Sequence, residues 1–374
     1  MEIKKRKVTE RIKLGQTDIY VSPVGIGVLP MGPAQLALPV EEGAELIVYA
    51  LSKGMNFIDT AQYYRTHPYI RRALELWQGE RAAAYVAATQ TAASTPAFDG
   101  ASNAEPVPES GLSGHGHAAR GNIIKGERPV ISSKTLATDY DSAWAAIEEE
   151  RAAMGVDYID IFLLHEVRSG QLATRQGAWQ ALMDAKACGL VRAIGCSTHH
   201  VDMVEQLAAM PACDIIFPLI NYAGMGIRRG RFAASAADMS RAIQQAAGCG
   251  KGIYTMKALG GGNLAAHYQR ALDYAFSRPG VSSVMLGFGC RQDIDDIVNY
   301  TNGTMSPSYA PDVSNKRVRV NHEDCEGCGT CIPMCAAGAI SFDKKNGLAI
   351  IDQSLCVTCG YCAQSCPVRA IIMY

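Results

Sequence analysis

The sequence predicts an α/β barrel of eight strands and about eight helices, followed by a small cysteine-rich domain. Two observations support this division. From about residue 9 to residue 301, short apolar segments alternate with amphipathic helices, which is typical of a (β/α)8 barrel of the TIM type. Near the C-terminal end, eight of the 13 cysteines stand in two runs of identical spacing.

Strand and helix candidates alternate regularly along the first of these regions. The strand candidates are 24–27, 56–60, 130–133, 158–164, 191–195, 215–220, 253–256 and 283–286. The helix candidates include 41–53, 140–154, 174–187, 201–210, 237–248, 264–278 and 291–300. The segment 159–164 (IDIFLL) is almost continuously apolar, which suits a parallel strand buried on both faces. A doubly wound sheet is the alternative, and the absence of a G-x-G-x-x-G turn after the first strand weighs against it.

The composition is that of a globular protein of ordinary charge. Hydrophobic residues make up 48% of the chain and charged residues 19%, and the formal net charge is −1. This balance argues against nucleic acid or an anionic membrane as a partner. The basic start, MEIKKRK, precedes no apolar segment, and no stretch is apolar over the roughly 18 residues of a membrane helix. Cysteines without an export signal predict a cytoplasmic location and metal binding rather than disulfides.

Two segments interrupt the alternation. Residues 79–128 are rich in Ala, Ser, Gly and Pro and predict a low-complexity insertion at the N-terminal face of the barrel. Its residues His115 and His117 are interpreted as solvated loop histidines, with metal binding as the alternative. Residues 302–318 predict a linker that leads into a small α+β domain at 319–374.

The cysteine runs predict two [4Fe–4S] clusters. Each run is spaced Cys-x-x-Cys-x-x-Cys-x-x-x-Cys, as in bacterial ferredoxins, where the fourth cysteine ligates the cluster of the other run. Zinc sites use Cys/His tetrads with a longer gap between pairs, and disulfides need an oxidising compartment. One cluster is assigned to Cys325, Cys328, Cys331 and Cys366, and the other to Cys335, Cys356, Cys359 and Cys362.

Four polar side chains stand at the ends of barrel strands, where such barrels place their chemistry. They are Asp59, Tyr64, Lys134 and His165. Together they form a proton-transfer device, in which the tyrosine donates to an alkoxide, the histidine polarises a carbonyl and the aspartate orients the lysine. Since an adjacent ammonium stabilises tyrosinate, we expect Lys134 to lower the pKa of Tyr64 from its free value of about 10.

The segments around these residues resemble the aldo/keto reductases. The resembling segments are GMNFIDTAQYY at 54–64, ISSK at 131–134, DYIDIFLLH at 157–165 and VRAIGCS at 191–197. The resemblance covers roughly residues 11–300, and with the cysteine runs the chain resembles aldo/keto reductases fused to a C-terminal 4Fe–4S ferredoxin domain. It implies that the four polar residues are the family's catalytic tetrad. The D-T-A-x-x-Y spacing selects Tyr64, rather than Tyr63, as the general acid.

The resemblance also implies a nicotinamide cofactor, although several positions of its binding site differ. Ser197 matches the serine that holds the nicotinamide carboxamide, and Asn221, Lys257 and Gly260 are further candidate contacts. The last two belong to a glycine-rich loop whose amides could cradle phosphates; the alternative is a loop that needs positive φ. The residues that depart from the family pattern are Thr198, Phe217, Met256, Gly287, Phe288 and Asp293. NAD(P)H and a flavin both stay open as cofactors.

The remaining histidines and cysteines of the barrel have ordinary interpretations. His199 and His200 follow the fifth strand and are interpreted as incidental hydrogen-bonding groups, with a catalytic role as the alternative. The other cysteines are interpreted as small apolar filler. They are Cys188, Cys196, Cys213, Cys249 and Cys290.

The sequence therefore predicts an oxidoreductase that interconverts a carbonyl and an alcohol and is electronically linked to two clusters. Its expected partners are a small carbonyl or alcohol substrate and a redox protein. One alternative is an iron–sulfur oxidoreductase that depends on a flavin or a partner and does not use NAD(P). The other is a non-catalytic electron-transfer subunit. A flavin is considered as a cofactor because a hydride carries two electrons, whereas a [4Fe–4S] cluster accepts one, and a flavin can connect the two kinds of transfer.

Overall fold

The computed structural model describes residues 5–33, 35–78, 128–312, 317–335, 337–356, 361–368 and 370–373. Almost all of the predicted insertion, with His115 and His117, lies outside the described residues. The cluster candidate Cys359 lies outside them as well, as do residues 313–316 of the predicted linker.

Strands and helices alternate through the described chain. The strands are β1 (Ile12–Lys13), β2 (Tyr20–Val21), β3 (Val24–Gly27), β4 (Phe57–Asp59), β5 (Val130–Thr135), β6 (Ile159–Leu164), β7 (Val191–Thr198), β8 (Ile215–Pro218), β9 (Arg228–Arg229), β10 (Phe232–Ala233), β11 (Gly252–Thr255), β12 (Ser283–Gly287), β13 (Val318–Val320), β14 (Ile340–Phe342), β15 (Ala349–Ile351) and β16 (Ile371–Met373). The helices are α1 (Val40–Ser52), α2 (His67–Gln78), α3 (Tyr140–Met154), α4 (Gln176–Ala187), α5 (Val201–Ala208), α6 (Ala236–Gly248), α7 (Tyr268–Phe276), α8 (Arg291–Asn302) and α9 (Tyr361–Ser365). None of the described helices is both long and apolar enough to cross a bilayer.

Eight strands close into a parallel barrel in the order β3-β4-β5-β6-β7-β8-β11-β12. Each predicted strand segment overlaps one of them. Asp59 pairs with Gly27 on one side and Ser132 on the other, and Lys134 pairs with Leu163. This register brings the C-terminal ends of the strands to one rim. The predicted (β/α)8 barrel is confirmed.

Two apolar layers hold the barrel together. The outer layer packs the helices against the strands, through residues such as Ile47, Ile147 and Ile243. The inner layer fills the barrel with Phe57, Tyr254 and other large side chains. Burial of such surface is the main favourable contribution to folding.

Two short hairpins, β1–β2 and β9–β10, were not predicted from the sequence. Their two-residue strands are too short to show the alternation that identifies a strand. The first hairpin contributes Leu14, Ile19 and Val21 to the inner layer of the barrel core. The second lies on the C-terminal side, where the backbone amide of Arg228 donates to the carbonyl oxygen of His199 at 3.0 Å.

The C-terminal domain consists of two small antiparallel sheets and α9. Strand β13 pairs with β16, and β14 pairs with β15. Its core gathers apolar residues such as Val318, Ile340 and Ile371 around the cysteines. The domain's first strand begins at Val318, the last residue of the predicted linker.

Candidate active site

The four tetrad candidates meet at the C-terminal rim of the barrel. Asp59 ends β4, Lys134 lies near the end of β5, and His165 directly follows β6. Tyr64 is the last residue of a short 3-10 helix that follows β4. Each of the four side chains belongs to a residue that is at most 9% exposed. The structure therefore places all four polar groups in one buried region.

Asp59 and Lys134 form a buried ion pair, in which Nζ of Lys134 lies 2.8 Å from Oδ2 of Asp59. The ammonium also donates to the carbonyl oxygen of Thr60. The other carboxylate oxygen accepts from the Tyr254 hydroxyl at 3.5 Å, and this hydroxyl lies 2.6 Å from Oγ of Ser132. Burial raises the pKa of Asp59 and lowers that of Lys134, while each charge favours the charged form of its partner.

The Lys134 ammonium lies over the ring of Tyr64, 5.0 Å from its centroid. The expectation that this ammonium lowers the pKa of Tyr64 is wrong. Burial raises the pKa of Tyr64 well above 10.0, and Tyr63, Asp59 and Asp324 raise it further. The physical reason is that the burial of the hydroxyl, together with the neighbouring Tyr63, Asp59 and Asp324, outweighs the effect of the ammonium. At neutral pH Tyr64 is protonated, as a proton donor must be.

His165 presents a ring nitrogen without a partner to this site. Its imidazole meets the Tyr64 ring edge-to-face, with centroids 5.7 Å apart. Its Nδ1 is buried and has no hydrogen-bond partner among the described residues. Burial, followed by the charges of Lys134, Lys257 and Arg175, lowers the pKa of His165 well below its usual range. The ring is therefore neutral, and its buried Nδ1 is left without a partner among the described residues.

Tyr63 belongs to the wall of the same site. Its ring stacks on His165 with centroids 5.0 Å apart, and it lies 4.7 Å from the ring of Tyr64. Burial, together with Asp324 and Glu166, raises its pKa. The structure gives Tyr63 a packing contact with the histidine, while Lys134 lies over the ring of Tyr64.

The candidate cofactor contacts on β7 and after β8 form hydrogen bonds with the backbone of neighbouring loops. The hydroxyl of Ser197, which is fully buried, accepts from the backbone amide of Glu166 at 2.8 Å. Thr198 donates to the carbonyl oxygen of Val167 at 2.6 Å. The side chain of Asn221 bonds the backbone of Met225 at both ends, donating at 3.0 Å and accepting at 2.9 Å. Asn221 therefore closes its own loop.

The departures from the family pattern have structural roles of their own. Phe217 stacks on Tyr254 inside the barrel, with centroids 4.0 Å apart. Phe288 is buried, and Met256 packs partly buried against the core. Asp293 caps α8, because its carboxylate accepts from the backbone amides of Gly289 and Cys290. An acidic cap is unsuited to gripping an adenosine phosphate, because both are negatively charged.

The glycine-rich loop after β11 needs positive φ. Lys257 has φ of 60°, and Gly260, Gly261 and Gly262 have φ of 60°, 68° and 84°. The C-terminal strand β16 lies against this loop: the amide of Met373 donates to the carbonyl oxygen of Gly261 at 2.9 Å. A Cβ at Gly262 would lie 2.8 Å from the Met373 carbonyl oxygen, so the two segments approach closely. These residues, with Thr198 and Asp293, do not match the nicotinamide dinucleotide-binding site that the resemblance implies.

The cysteines of the C-terminal domain fit a cluster. The pKa of the Cys331 thiol is raised by burial and by the thiols of Cys366, Cys328 and Cys325. These three are the partners that the spacing assigns to Cys331, including the cysteine from the other run. Within the described residues, no three His, Cys, Asp or Glu side chains converge as they would on a single metal ion. The four irons of a cluster hold their cysteine ligands further apart.

The two cysteine runs are related by the same local geometry. Sγ of Cys335 accepts from the amide of Ala339 at 3.3 Å, and Sγ of Cys366 accepts from the amide of Ala370 at 3.2 Å. The fourth cysteine of each run thus bonds the amide four residues later. Such hydrogen bonds to sulfur influence the reduction potential of a bound cluster.

The C-terminal domain docks on the rim that carries the tetrad. The carboxyl group of Glu166, next to His165, is electrostatically coupled to that of Asp324, next to the cluster candidate Cys325. Burial and Asp324 raise the pKa of Glu166 to about 7. This junction could not be predicted from the sequence, because no local pattern links two residues so far apart. The only sequence signal was the position of each beside a site residue.

Three further contacts hold the two domains together. Arg168 forms an ion pair with Glu326. Nη1 of Arg228 donates to the carbonyl oxygen of Pro367 at 3.0 Å. The hydrogen bond between β16 and the glycine loop is the third. His199 and His200, both only 6% exposed, line a cavity at this junction.

The fold and the site define an α/β-barrel oxidoreductase that carries an iron–sulfur domain. Residues 23–273 match the aldo/keto reductase family, and residues 312–370 match the 4Fe-4S dicluster domain. The chain belongs to the aldo/keto reductase family.

Individual relatives cover only parts of the chain. An aldo-keto reductase from Mycolicibacterium vanbaalenii is 32% identical over 28% of this chain and 40% of its own length. Morphine 6-dehydrogenase from Pseudomonas putida is 24% identical over 53% of this chain and 51% of its own length. The thiosulfate reductase electron transfer subunit PhsB of Salmonella typhi is 40% identical over 50 residues, which are 13% of this chain and 25% of that protein. The chain thus spans about half or less of the length of these relatives.

Solved structures share the barrel. An aldo-keto reductase structure from Pseudomonas aeruginosa superposes with a TM-score of 0.56 at 21% identity, covering 81% of this chain and 98% of that one. The holo form of aldo-keto reductase AKR11C1 from Bacillus halodurans gives a TM-score of 0.52 at 14% identity, with 80% and 92% covered. At these identities the likeness concerns the fold.

Proposed function

We propose that the barrel interconverts a carbonyl and an alcohol with Tyr64 as proton donor, and that electrons pass through the C-terminal clusters rather than a nicotinamide. The observation that carries the proposal is the docking of the cluster domain on the tetrad's rim. Glu326, which follows Cys325, forms an ion pair with Arg168 of the barrel, and Asp324, which precedes Cys325, is electrostatically coupled to Glu166, which follows His165. A reduced cluster domain and a proton-donating site are thereby adjacent.

The tetrad suits the oxygen of the substrate. Reduction of a carbonyl to an alcohol takes up two electrons and two protons. Tyr64 supplies the proton that reaches the oxygen, and solvent water supplies the proton that forms the new C–H bond. The neutral His165 orients this oxygen through its free ring nitrogen. The Lys134 ammonium, fixed by Asp59 and lying over the Tyr64 ring, offsets part of the cost that burial imposes on the tyrosinate that remains. Iron–sulfur clusters, when bound, supply electrons one at a time.

We propose separately that a bound flavin accepts single electrons from the clusters and delivers two electrons to the substrate. It is tested on the purified protein by acid or heat denaturation and spectroscopy of the supernatant. Release of yellow, fluorescent flavin in an amount close to that of the protein would show that the protein binds a flavin. A colourless supernatant would leave the clusters as the electron carriers and the tetrad as the site of proton transfer.

The proposed reaction is tested by a single turnover without any nicotinamide. The cluster-loaded protein is reduced anaerobically with dithionite, freed of excess reductant, and mixed with a panel of aldehydes and ketones. We expect the visible cluster absorbance to return as the matching alcohol forms. A protein that is fully reduced and reoxidised by no carbonyl on the panel, while a redox protein still reoxidises it, would favour the non-catalytic electron-transfer subunit.

A further inference from the structure

A cavity of about 490 Å³ lies between the barrel and the cluster domain. The barrel contributes the segments that follow β6, β7 and β8, and the cluster domain contributes Glu326 and Val368. The cavity reaches Glu166, the neighbour of His165. It is therefore large enough for a small organic molecule and lies on the same side of the barrel as the tetrad.

Positive charge exceeds negative charge along the cavity wall. Three guanidinium groups, those of Arg168, Arg228 and Arg231, face the two carboxyl groups of Glu166 and Glu326. Both carboxyl groups lie near the same arginine: Arg168 pairs with Glu326 and lies 3.6 Å from Glu166. Among the described residues, Arg228 and Arg231 have no carboxylate partner. Their charges are therefore available to an anion.

Arg228 is held in place by neutral groups. Its Nη1 donates to the carbonyl oxygen of Pro367 at 3.0 Å, and its Nη2 donates to that of Arg231 at 2.7 Å. A guanidinium has five N–H donors, so these two bonds fix its orientation and leave further donors. Such a fork matches the geometry of a carboxylate or phosphate group.

A buried histidine adds a neutral donor. The hydroxyl of Ser169 accepts from the amide of Gly230 at 3.1 Å and lies 2.9 Å from Nδ1 of His200. When this hydroxyl donates to Nδ1, the neutral imidazole carries its hydrogen on Nε2. Since His200 lines the cavity, this N–H joins the guanidinium groups as a donor.

We propose that this cavity binds the oxoanion group of a small organic acid, and that this group anchors the substrate at the mouth of the barrel. The inference rests on the proposed function, since it names the substrate class of the same site. A keto acid carries both a carbonyl for the tetrad and a carboxylate for Arg228 and Arg231, and none of the four tetrad residues is among those that line the cavity.

Calorimetric titration of the cluster-loaded full chain tests this inference without any turnover. The probes are phenylpyruvate, its uncharged analogue phenylacetone, and inorganic phosphate. We expect phenylpyruvate to bind at least about tenfold more tightly than phenylacetone, since a charged hydrogen-bonded pair exceeds the 1.4 kcal/mol of a tenfold change. Arg228→Gln should lose about tenfold or more in affinity. Arg231→Gln, which keeps the contact between Arg228 and Pro367, should lose several-fold.

Two matched variants separate this inference from the proposed function. Arg229→Gln removes the neighbouring arginine, which pairs with Glu205 instead of lining the cavity, and should bind as the unmodified protein does. Tyr64→Phe should also bind normally, even though turnover is lost. Phosphate binding that requires Arg228, without phenylpyruvate binding, would support the oxoanion site and assign it to a phosphate group. Equal affinity for phenylpyruvate and phenylacetone, or no probe that depends on Arg228 and Arg231, would overturn the inference.

Discussion

The backbone amide of Met373 donates a 2.9 Å hydrogen bond to the carbonyl oxygen of Gly261. This bond ties the last strand of the cluster domain to the loop that was a candidate phosphate cradle. Because the bond closes a contact between two domains, the loop has an interdomain role in this chain. The barrel of an aldo/keto reductase and the iron–sulfur domain therefore meet at the face where the tetrad lies.

Replacement of Tyr64 by phenylalanine should abolish turnover. The change removes the hydroxyl that donates the proton, and a general acid contributes about 10² to 10⁴ in rate. The measurement is the rate at which a carbonyl substrate reoxidises the reduced protein. Iron content and cluster absorbance should stay unchanged.

Tyr63→Phe is the matched control, since it alters the adjacent ring in the same way. Tyr63 stacks on His165 through its ring, and phenylalanine preserves that contact. We expect turnover within a few-fold of the unmodified protein. If Tyr63→Phe abolished turnover and Tyr64→Phe did not, the roles of the two tyrosines would have to be exchanged.

Lys134→Met should destabilise the barrel by about 3–5 kcal/mol, because it leaves Asp59 as a buried carboxylate without its partner. Urea unfolding of the barrel measures this change. The double variant Asp59→Asn with Lys134→Met should recover part of the stability and none of the turnover. Lys186→Met breaks the exposed pair with Asp214 and should change stability by less than about 1 kcal/mol. Equal losses for the two single lysine variants would contradict the buried pair.

Glu166→Gln should remove a pH-dependent loss of stability. The folded-state pKa of Glu166 is raised from 4.5 to about 7 by burial and Asp324, so the folded protein holds a proton that the unfolded chain releases. Stability therefore falls as pH rises from about 4.5 to 7 and stays lower above that. Thermal unfolding between about pH 4.5 and pH 7 should show the unmodified protein losing stability relative to Glu166→Gln.

The control for this effect is Glu149→Gln, which alters an exposed carboxyl on α3. It should follow the pH profile of the unmodified protein. Parallel profiles for Glu166→Gln and the unmodified protein would show that the carboxyl pair across the domain junction does not form.

The sequence predicted the barrel well because its signals are local. Most barrel strands contain a short apolar run, and Asp59, Lys134 and His165 stand at or just after strand ends, where polar residues break the pattern. The cysteine spacing is likewise a local signal. The strands of the two short hairpins could not be predicted, because two residues are too few to show the alternation of apolar and polar residues that identifies a strand.

The electrostatics of the site could not be predicted in the same way. The pKa of Tyr64 depends on its burial and on Asp324, which reaches it from a domain far along the chain. The sequence predicted that Asp59 orients Lys134, as the structure shows, but not that burial of the Tyr64 hydroxyl outweighs the effect of the ammonium. Likewise, the positive cavity at Arg228 arises only when the two domains meet.

Cys366→Ala should remove one cluster and spare the other. The thiols of Cys366, Cys325 and Cys328 all lie near enough to Cys331 to raise its pKa, after burial. Loss of Cys366 therefore deprives this set of its fourth ligand. We expect iron and acid-labile sulfide to fall by about half, with one remaining set of paramagnetic signals after reduction. Cys249→Ala, at an exposed cysteine of the barrel, should leave both contents unchanged. Full iron content in Cys366→Ala would refute the assigned ligand set.

An anaerobic titration of the cluster-loaded protein with NADH, NADPH and then dithionite tests the central claim most directly. The visible absorbance of the clusters reports their reduction. Because Asp293 is an acidic cap and β16 lies on the glycine loop, the account predicts no bleaching by either nicotinamide and full bleaching by dithionite. Bleaching by NADH or NADPH would show that the barrel takes electrons from a nicotinamide, and would contradict the proposed electron path.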